Sequence, residues 1–73
     1  MKLTAKQAQI YQIVKEKIKK DGFPPTYAEI GAIVGLTNGA VCAHLRRIES
    51  KGFISIAPNE RRGILLKESN GNG

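Results

Sequence analysis

The sequence predicts a mainly α-helical domain of the α+β class, in which three helices precede a two-stranded β-hairpin. Apolar residues recur every three or four positions over three segments, glycines end those segments, and two short β-branched runs follow. A chain of 73 residues has room for one domain with one small core, which we expect to span residues 1–67. The polar, Gly-rich segment "ESNGNG" at 68–73 predicts a disordered tail.

The first segment, from residue 4 to residue 22, predicts an amphipathic helix of about four turns. Thr4 and Gln7 have the spacing of a capping box, in which side chains satisfy the free N–H groups at the helix start. Gly22 is expected to end the helix. The apolar stripe consists of Ile10, Val14 and Ile18, and the C-terminal half carries Lys15, Lys17, Lys19 and Lys20. These lysines either complement the helix dipole or face a polyanion.

The second segment, from residue 22 to residue 35, starts with "GFPP", which breaks the first helix. We expect Phe23 to fill the core from this loop. Thr26 and Glu29 form a second predicted capping box. Gly31 costs about 1 kcal/mol relative to Ala inside a helix, so a close helix crossing is expected to require it. The predicted buried stripe consists of Ile30, Ile33 and Val34.

The third helix is predicted to follow a tight turn. Gly35 ends the second helix in the left-handed conformation, Leu36 inserts into the core, and Thr37 is the N-cap. The buried side of the third helix consists of Val41, Leu45 and Ile48. The sequences "FISIA" at 53–57 and "ILLK" at 64–67 predict two antiparallel strands, joined by turn residues at 58–63. We call this hairpin the wing.

This order of elements is that of a winged helix-turn-helix, whose second motif helix lies in the DNA major groove. The net charge of +6 favours a polyanionic partner, and we predict double-stranded DNA. The side of the third helix opposite its buried residues must fit a groove about 12 Å wide. There, Asn38 suits a bidentate contact to adenine, and alanines suit thymine methyl groups. The predicted base-reading residues are Thr37, Asn38, Gly39, Ala40, Cys42 and Ala43.

Phosphate contacts are predicted from the polar residues around this helix. The second helix offers free N–H groups at its N-terminus, and the arginines of the wing tip could reach an adjacent backbone or a narrow minor groove. The predicted set is Thr26, Tyr27, His44, Arg46, Arg47, Arg61 and Arg62. Two alternatives stay open. Arg46 and Arg47 could form a solvated face that pairs with Glu49 or Ser50, and His44 could be a half-buried packing residue.

The composition argues against several other classes. Cys42 is the only cysteine, so no disulfide within the chain and no zinc site with two Cys ligands can form. Cys42 and His44 point about 200° apart on a helix and cannot share a metal. Without paired carboxylates or a nucleophile beside a base, we predict no enzyme activity, no metal and no cofactor. The lack of a long apolar run and of a signal peptide predicts a cytoplasmic, nucleoid-associated protein with no membrane partner.

Several segments together closely resemble the DNA-binding domain of the LexA repressor family. They are "MKLTAKQ" at 1–7, "GFPPTYAEIG" at 22–31, "VGL" at 34–36, "HLRRIESKGFI" at 44–54 and "RRGILL" at 61–66. The resemblance extends to about Lys67. It implies a winged helix-turn-helix that represses SOS-type or phage promoters by binding a palindromic operator as a dimer.

The sequence departs from this family in two respects. The segment between "VGL" and "HL" is one residue shorter, and small residues replace the polar and acidic ones usual at the base-reading positions, so the family's operator is not carried over. The family's self-cleaving, dimerising domain is absent, which fits either an isolated domain or a small stand-alone relative. The smooth face of small residues also fits a second hypothesis, a protein-interaction module that docks on another regulator or on RNA polymerase.

Overall fold

Three helices and a two-stranded antiparallel sheet follow one another along the chain, which confirms the predicted fold class. The computed structural model describes residues 2–57 and 62–67. Its elements are α1 (Ala5–Asp21), α2 (Tyr27–Val34), α3 (Asn38–Ser50), β1 (Ile54–Ile56) and β2 (Ile64–Leu66). The predicted turn residues 58–61 and the predicted tail 68–73 lie outside the described residues.

Each of the three helices begins at a threonine cap, as the sequence predicts. The Thr4 side chain accepts a hydrogen bond from Gln7 N–H (3.2 Å), and the Gln7 side chain accepts one from Thr4 N–H (3.1 Å). Thr26 and Glu29 repeat this capping box at α2, with distances of 3.1 and 2.9 Å. Thr37 caps α3 through its side chain alone. These short-range hydrogen bonds define where each helix starts.

The turn between α2 and α3 requires glycine at two positions. Gly35 has a φ of 75°, which a residue with a side chain adopts only with strain. The N–H groups of Gly35 and Leu36 both donate to the carbonyl oxygen of Gly31, at 2.7 and 3.0 Å. A Cβ atom at Gly31 would overlap the carbonyl oxygen of Leu36. The expected close approach at Gly31 is therefore to the backbone of the turn, and it lets the chain change direction by 103° between the two helices.

All three helices and both strands contribute to one hydrophobic core. The residues at its centre are at most 1% exposed, and they are Ile10, Val14, Ile30, Val41, Leu45, Ile48, Ile54 and Ile64. Leu36 packs against this cluster from the turn, as expected. The predicted anchor of α3 is thus fully buried, which leaves the opposite side of that helix to face outward.

Two residues that the sequence analysis placed in the core are exposed. Phe23 is 47% exposed, because Pro25 takes the buried position of its loop. The ring of Phe23 lies instead against the Arg62 guanidinium, whose central carbon is 4.8 Å from the ring centroid. Ile33 is 52% exposed, because the short helix α2 turns Ile30 and Gly31 toward the core and Ile33 away from it. The predictions for Phe23 and Ile33 were therefore wrong.

The wing is tied to the helices by polar contacts as well as by its core residues. Its strands pair Ile54 with Leu66 and Ile56 with Ile64. The first strand is one residue shorter at both ends than predicted, and the second is one residue shorter at its C-terminal end. Beyond this ladder, Ala57 N–H donates to the Gly63 carbonyl oxygen (2.8 Å). The Glu49 carboxylate of α3 accepts a hydrogen bond from Ile56 N–H (2.9 Å), which fixes the first strand relative to α3.

A lysine at the C-terminal end of α3 links this helix to the N-terminal part of the chain. Lys51 Nζ donates to the side-chain oxygen of Gln7 (2.7 Å) and to the backbone carbonyl oxygen of Lys2 (2.8 Å). Gln7 is 4% exposed, and its side-chain oxygen also accepts from Thr4 N–H. The buried amide oxygen is therefore satisfied, since a buried polar group without a partner is costly.

Replacement of Gly31 by alanine tests the steric requirement of the turn. We expect Gly31→Ala to lower the free energy of unfolding by about 1–3 kcal/mol, because the new methyl group displaces the backbone of Leu36. Gly39→Ala is the matched control, since a Cβ atom there meets nothing within 4 Å and alanine favours the helix by up to ~1 kcal/mol. Chemical denaturation measures both changes. Equal stability of the two variants would contradict the assigned role of Gly31.

Candidate nucleic-acid interface

The side of α3 that faces away from the core is open over its first two turns. Thr37, Asn38, Gly39 and Ala43 are exposed, while Ala40 and Cys42 are partly buried. All six predicted base-reading residues lie at the N-terminal end of α3. Gly39 and Ala43 lie opposite the buried anchor and Ala40 and Cys42 flank it, whereas Asn38 is on the same side as the anchor and is exposed because it stands in the first turn. We call these six residues the reading face.

The reading face carries few groups that form hydrogen bonds. Thr37 Oγ1 accepts from Ala40 N–H (3.2 Å), which leaves the hydroxyl hydrogen free to donate. Within residues 2–57 and 62–67 the Asn38 side chain has no hydrogen-bond partner, so its carbonyl and NH₂ groups are both available. Among the described residues, no atom lies within 4 Å of the place where a Cβ atom at Gly39 would stand, which allows close approach of a flat ligand edge to the α3 backbone.

A first group of predicted phosphate contacts lies where α2 begins beside α3. Tyr27 lies near Cys42 and Arg46, which are one helical turn apart on α3. The neighbouring Cys42 side chain raises the pKa of Arg46, and burial raises the pKa of Tyr27. Both side chains therefore keep their protons. The backbone N–H groups of Tyr27 and Ala28 form no hydrogen bond within the described part of the chain, so they also remain available as donors.

A second group surrounds Arg62, which holds the wing to the start of α2. The Arg62 guanidinium forms a bidentate ion pair with Glu29, in which Nη1 and Nη2 each lie 3.0 Å from a carboxylate oxygen. Nη1 also donates to the Pro24 carbonyl oxygen (2.9 Å), and the guanidinium stacks on Phe23. We call this arrangement of Arg62 with Glu29, Pro24 and Phe23 the wing clamp.

The wing clamp alters the protonation of both of its charged members. The hydrogen bond from Arg62 lowers the pKa of Glu29, and the hydrogen bond from Thr26 N–H adds to this effect. The hydrogen bond to Glu29 raises the pKa of Arg62. Two guanidinium N–H groups, the one on Nε and the second on Nη2, have no partner among the described residues. A phosphate contact from Arg62 would have to use these two.

The remaining predicted phosphate contacts differ in their surroundings. Arg47 is exposed and forms no ion pair within the described ranges. Glu49, its suggested partner, bonds to Ile56 N–H. His44 is half-buried, and its Nδ1 atom is buried without a hydrogen-bond partner among these residues, so a phosphate contact would have to come from Nε2. Arg61 lies outside the described residues.

The partners of Arg62 were not predicted from the sequence. Glu29 was assigned only to the α2 cap, and Phe23 was assigned to the core. Glu29 and Arg62 are 33 positions apart in the chain, so no local pattern connects them. The available signal was an arginine near the end of the predicted turn and an acidic residue at a helix start, and only the topology brings the two together.

No group of three or more His, Cys, Asp or Glu side chains able to hold a metal ion occurs in the described part of the chain. No single helix of residues 2–57 and 62–67 has the length and hydropathy needed to cross a membrane, and α2 and α3 meet that criterion only as a pair bent by 103°.

The sequence was compared with protein families and with curated proteins. A family model described as the LexA DNA binding domain matches residues 1–63. The chain is 43% identical over 72 residues to a LexA repressor of Herminiimonas arsenicoxydans, which covers 97% of the chain and 33% of that protein. It is 42% identical over 69 residues to a LexA repressor of Geobacillus thermodenitrificans (strain NG80-2), which covers 93% of the chain and 33% of that protein. The chain thus spans about a third of the length of these relatives.

The pKa of Glu29 predicts how the wing clamp responds to acid. Because the folded state lowers this pKa below its ordinary value of 4.5, the stabilisation by the carboxylate is present above that value and is lost as the pH falls through the lower folded pKa. We expect the difference in unfolding free energy between the wild type and Glu29→Gln to shrink from about pH 6 to about pH 3. Denaturation at several pH values measures it.

The control for this experiment removes the main cause of the pKa shift. In an Arg62→Gln background, the same Glu29→Gln substitution should show a smaller pH dependence, because the largest contribution to the lowered pKa is gone. If wild type and Glu29→Gln lose stability in parallel throughout the acidic range, the ion pair has no effect on stability.

Proposed function

Because the chain belongs to the family of LexA DNA-binding domains, we propose that it binds double-stranded DNA sequence-specifically and represses transcription. The observation that carries this proposal is the exposed N-terminal end of α3, which bears the reading face while the anchor of the same helix is fully buried. The angle of 103° between α2 and α3 is within the range of DNA-binding helix-turn-helix motifs, about 90–120°. In this arrangement α3 enters the major groove with its N-terminal turns against the base edges.

The reading face determines which contacts to bases are available. Asn38, with both halves of its amide free, would form the bidentate contact to adenine, and Thr37 would add one hydroxyl donor. Ala40 and Ala43 would pack against thymine methyl groups. Gly39 and Cys42 are small, so they would allow the α3 backbone to approach the base edges closely. With so few hydrogen bonds to bases, one copy would discriminate weakly, and we propose that two copies bind a palindromic operator as a dimer.

Phosphate contacts would hold the helix in register on the duplex. Tyr27 and Arg46 stay protonated beside each other, and the free N–H groups at the start of α2 lie in the same area. We propose that the remaining contacts come from Thr26, His44, Arg47 and Arg61, whereas the predicted contact by Arg62 would have to use the guanidinium N–H groups that Glu29 and Pro24 leave available. We further propose that the chain acts in the cytoplasm at the nucleoid and that this domain catalyses no reaction itself.

Selection from a random-sequence duplex pool at physiological salt tests the proposed function. We expect enrichment of one inverted repeat that contains adenine at the position contacted by Asn38. The Asn38→Ala variant should select the same repeat with that position degenerate, because a bidentate contact discriminates bases by about 1–3 kcal/mol. Binding without any enriched sequence would instead support the second hypothesis, a protein-interaction module whose contact with DNA is not specific.

Replacement of Arg47 separates a phosphate contact from a base contact. Arg47→Ala should weaken binding to all sequences by a similar factor and should flatten the slope of log K against log salt by about 0.9. Lys6→Ala is the matched control, since it removes the same charge from α1, where Lys6 contacts only Gln9 among the described residues. Fluorescence titration at several salt concentrations measures the slope. Equal slopes for the two variants would exclude a phosphate contact by Arg47.

A further inference from the structure

We propose that the wing clamp is a positioning device, in which Glu29 holds Arg62 so that the wing is already oriented for DNA before binding. This inference rests on the proposed function and adds Glu29 to the residues that DNA binding depends on. It also changes the role of Arg62, which acts through the position of the wing rather than as a phosphate contact.

Most N–H groups of the Arg62 guanidinium donate to other parts of the protein. Three of its five N–H groups donate inward, two to Glu29 and one to the Pro24 carbonyl oxygen, at 2.9–3.0 Å. One face of the guanidinium lies against Phe23. A planar guanidinium held by a bidentate carboxylate, a carbonyl and an aromatic ring has little rotational freedom. The wing clamp therefore fixes the backbone of Arg62 at the point where the chain re-enters the sheet.

The wing clamp joins the wing to the same helix that orients the reading face. Arg62 directly precedes Gly63, whose carbonyl oxygen accepts the hydrogen bond from Ala57 N–H beside the strand ladder. Glu29 lies in the first turn of α2, two residues before the Gly31 that sets the direction of α3. On the other strand, Ile56 N–H donates a hydrogen bond to the carboxylate of Glu49, which lies on α3. Contacts with α2 and α3 therefore fix the positions of both strands of the wing.

A phosphate contact by Arg62 and a positioning role of Arg62 predict different effects of the Glu29 charge on DNA binding. If Arg62 contacted a phosphate, the Glu29 carboxylate at 3.0 Å from the same guanidinium would repel that phosphate. Removal of the Glu29 charge would then strengthen DNA binding. If the wing clamp positions the wing, the same substitution loosens the wing and weakens binding, because the wing must be ordered when the complex forms. The two roles predict opposite effects of Glu29→Gln.

The experiment compares charge-matched variants of the full chain. Glu29→Gln keeps an oxygen that can accept from Thr26 N–H, and Arg62→Lys keeps the positive charge but not the bidentate geometry. Glu16→Gln is the control, because it makes the same charge change at an exposed position on α1, where the carboxylate accepts a hydrogen bond only from Gln12 among the described residues. The probe is a fluorescent random-sequence duplex, since contacts of the wing with the DNA backbone do not depend on sequence.

We expect Glu29→Gln and Arg62→Lys each to weaken binding about three- to tenfold relative to Glu16→Gln, with an unchanged salt slope. The double variant should bind no more weakly than the weaker single variant, because both substitutions remove the same contact. The proposal is overturned if Glu29→Gln binds the duplex as tightly as Glu16→Gln or more tightly, or if Arg62→Lys binds like the wild type.

A second measurement requires no DNA. Hydrogen exchange of the Ala57 amide, which is bonded to the Gly63 carbonyl oxygen, reports on the order of the wing. It should be faster in Glu29→Gln than in Glu16→Gln, and equal exchange rates overturn the positioning role. If the wild type binds no duplex, the proposed function fails, while this exchange measurement still decides whether Glu29 orders the wing.

Discussion

The close approach between Gly31 and the Leu36 carbonyl group is the constraint on which the rest of the structure depends. Two N–H groups of the turn converge on the Gly31 carbonyl oxygen, and the chain folds back over the place where a side chain would stand. This contact lies between backbone atoms, which cannot relax as a flexible side chain can. It determines the direction in which α3 leaves the turn. That direction in turn buries Val41, Leu45 and Ile48 and leaves the reading face outside.

Polar contacts fix the positions of the elements that packing in the core does not fix by itself. Glu49 fixes β1, the wing clamp fixes the start of β2, and Lys51 ties the chain start to the end of α3. Exposed ion pairs contribute little to stability, because water screens the charges and ordering the side chains costs entropy. The effect of these three contacts is geometric: the wing clamp and Lys51 join elements that are distant in sequence, and Glu49 orients β1 relative to the helix that precedes it. Stability therefore comes mainly from eight buried apolar residues, and the polar contacts orient the surface around them.

The parts of the fold that depend on neighbouring residues were predictable from the sequence. Thr4, Thr26 and Thr37 marked the helix starts, and three- and four-residue spacing identified Val41, Leu45 and Ile48 as the anchor. The errors arose where packing over long sequence distances decides. Phe23 is apolar and precedes two prolines, yet it lies outside because Pro25 fills the core and Arg62 covers the ring. The same holds for the candidate site. The reading face was predictable because it lies on one helix, whereas the wing clamp joins residues that only the whole topology brings together.

The empty space around Gly39 has a consequence for how such a domain can change. The residues that specify the fold and the residues that face outward on α3 are separate sets, and a Cβ atom added at Gly39 would meet no atom of the described residues within 4 Å. Larger or charged residues can therefore replace the small ones on this face with little loss of stability. Recognition and folding are separable traits in this scaffold, so a few substitutions over one and a half helical turns are enough for new sequence preferences to evolve or be engineered.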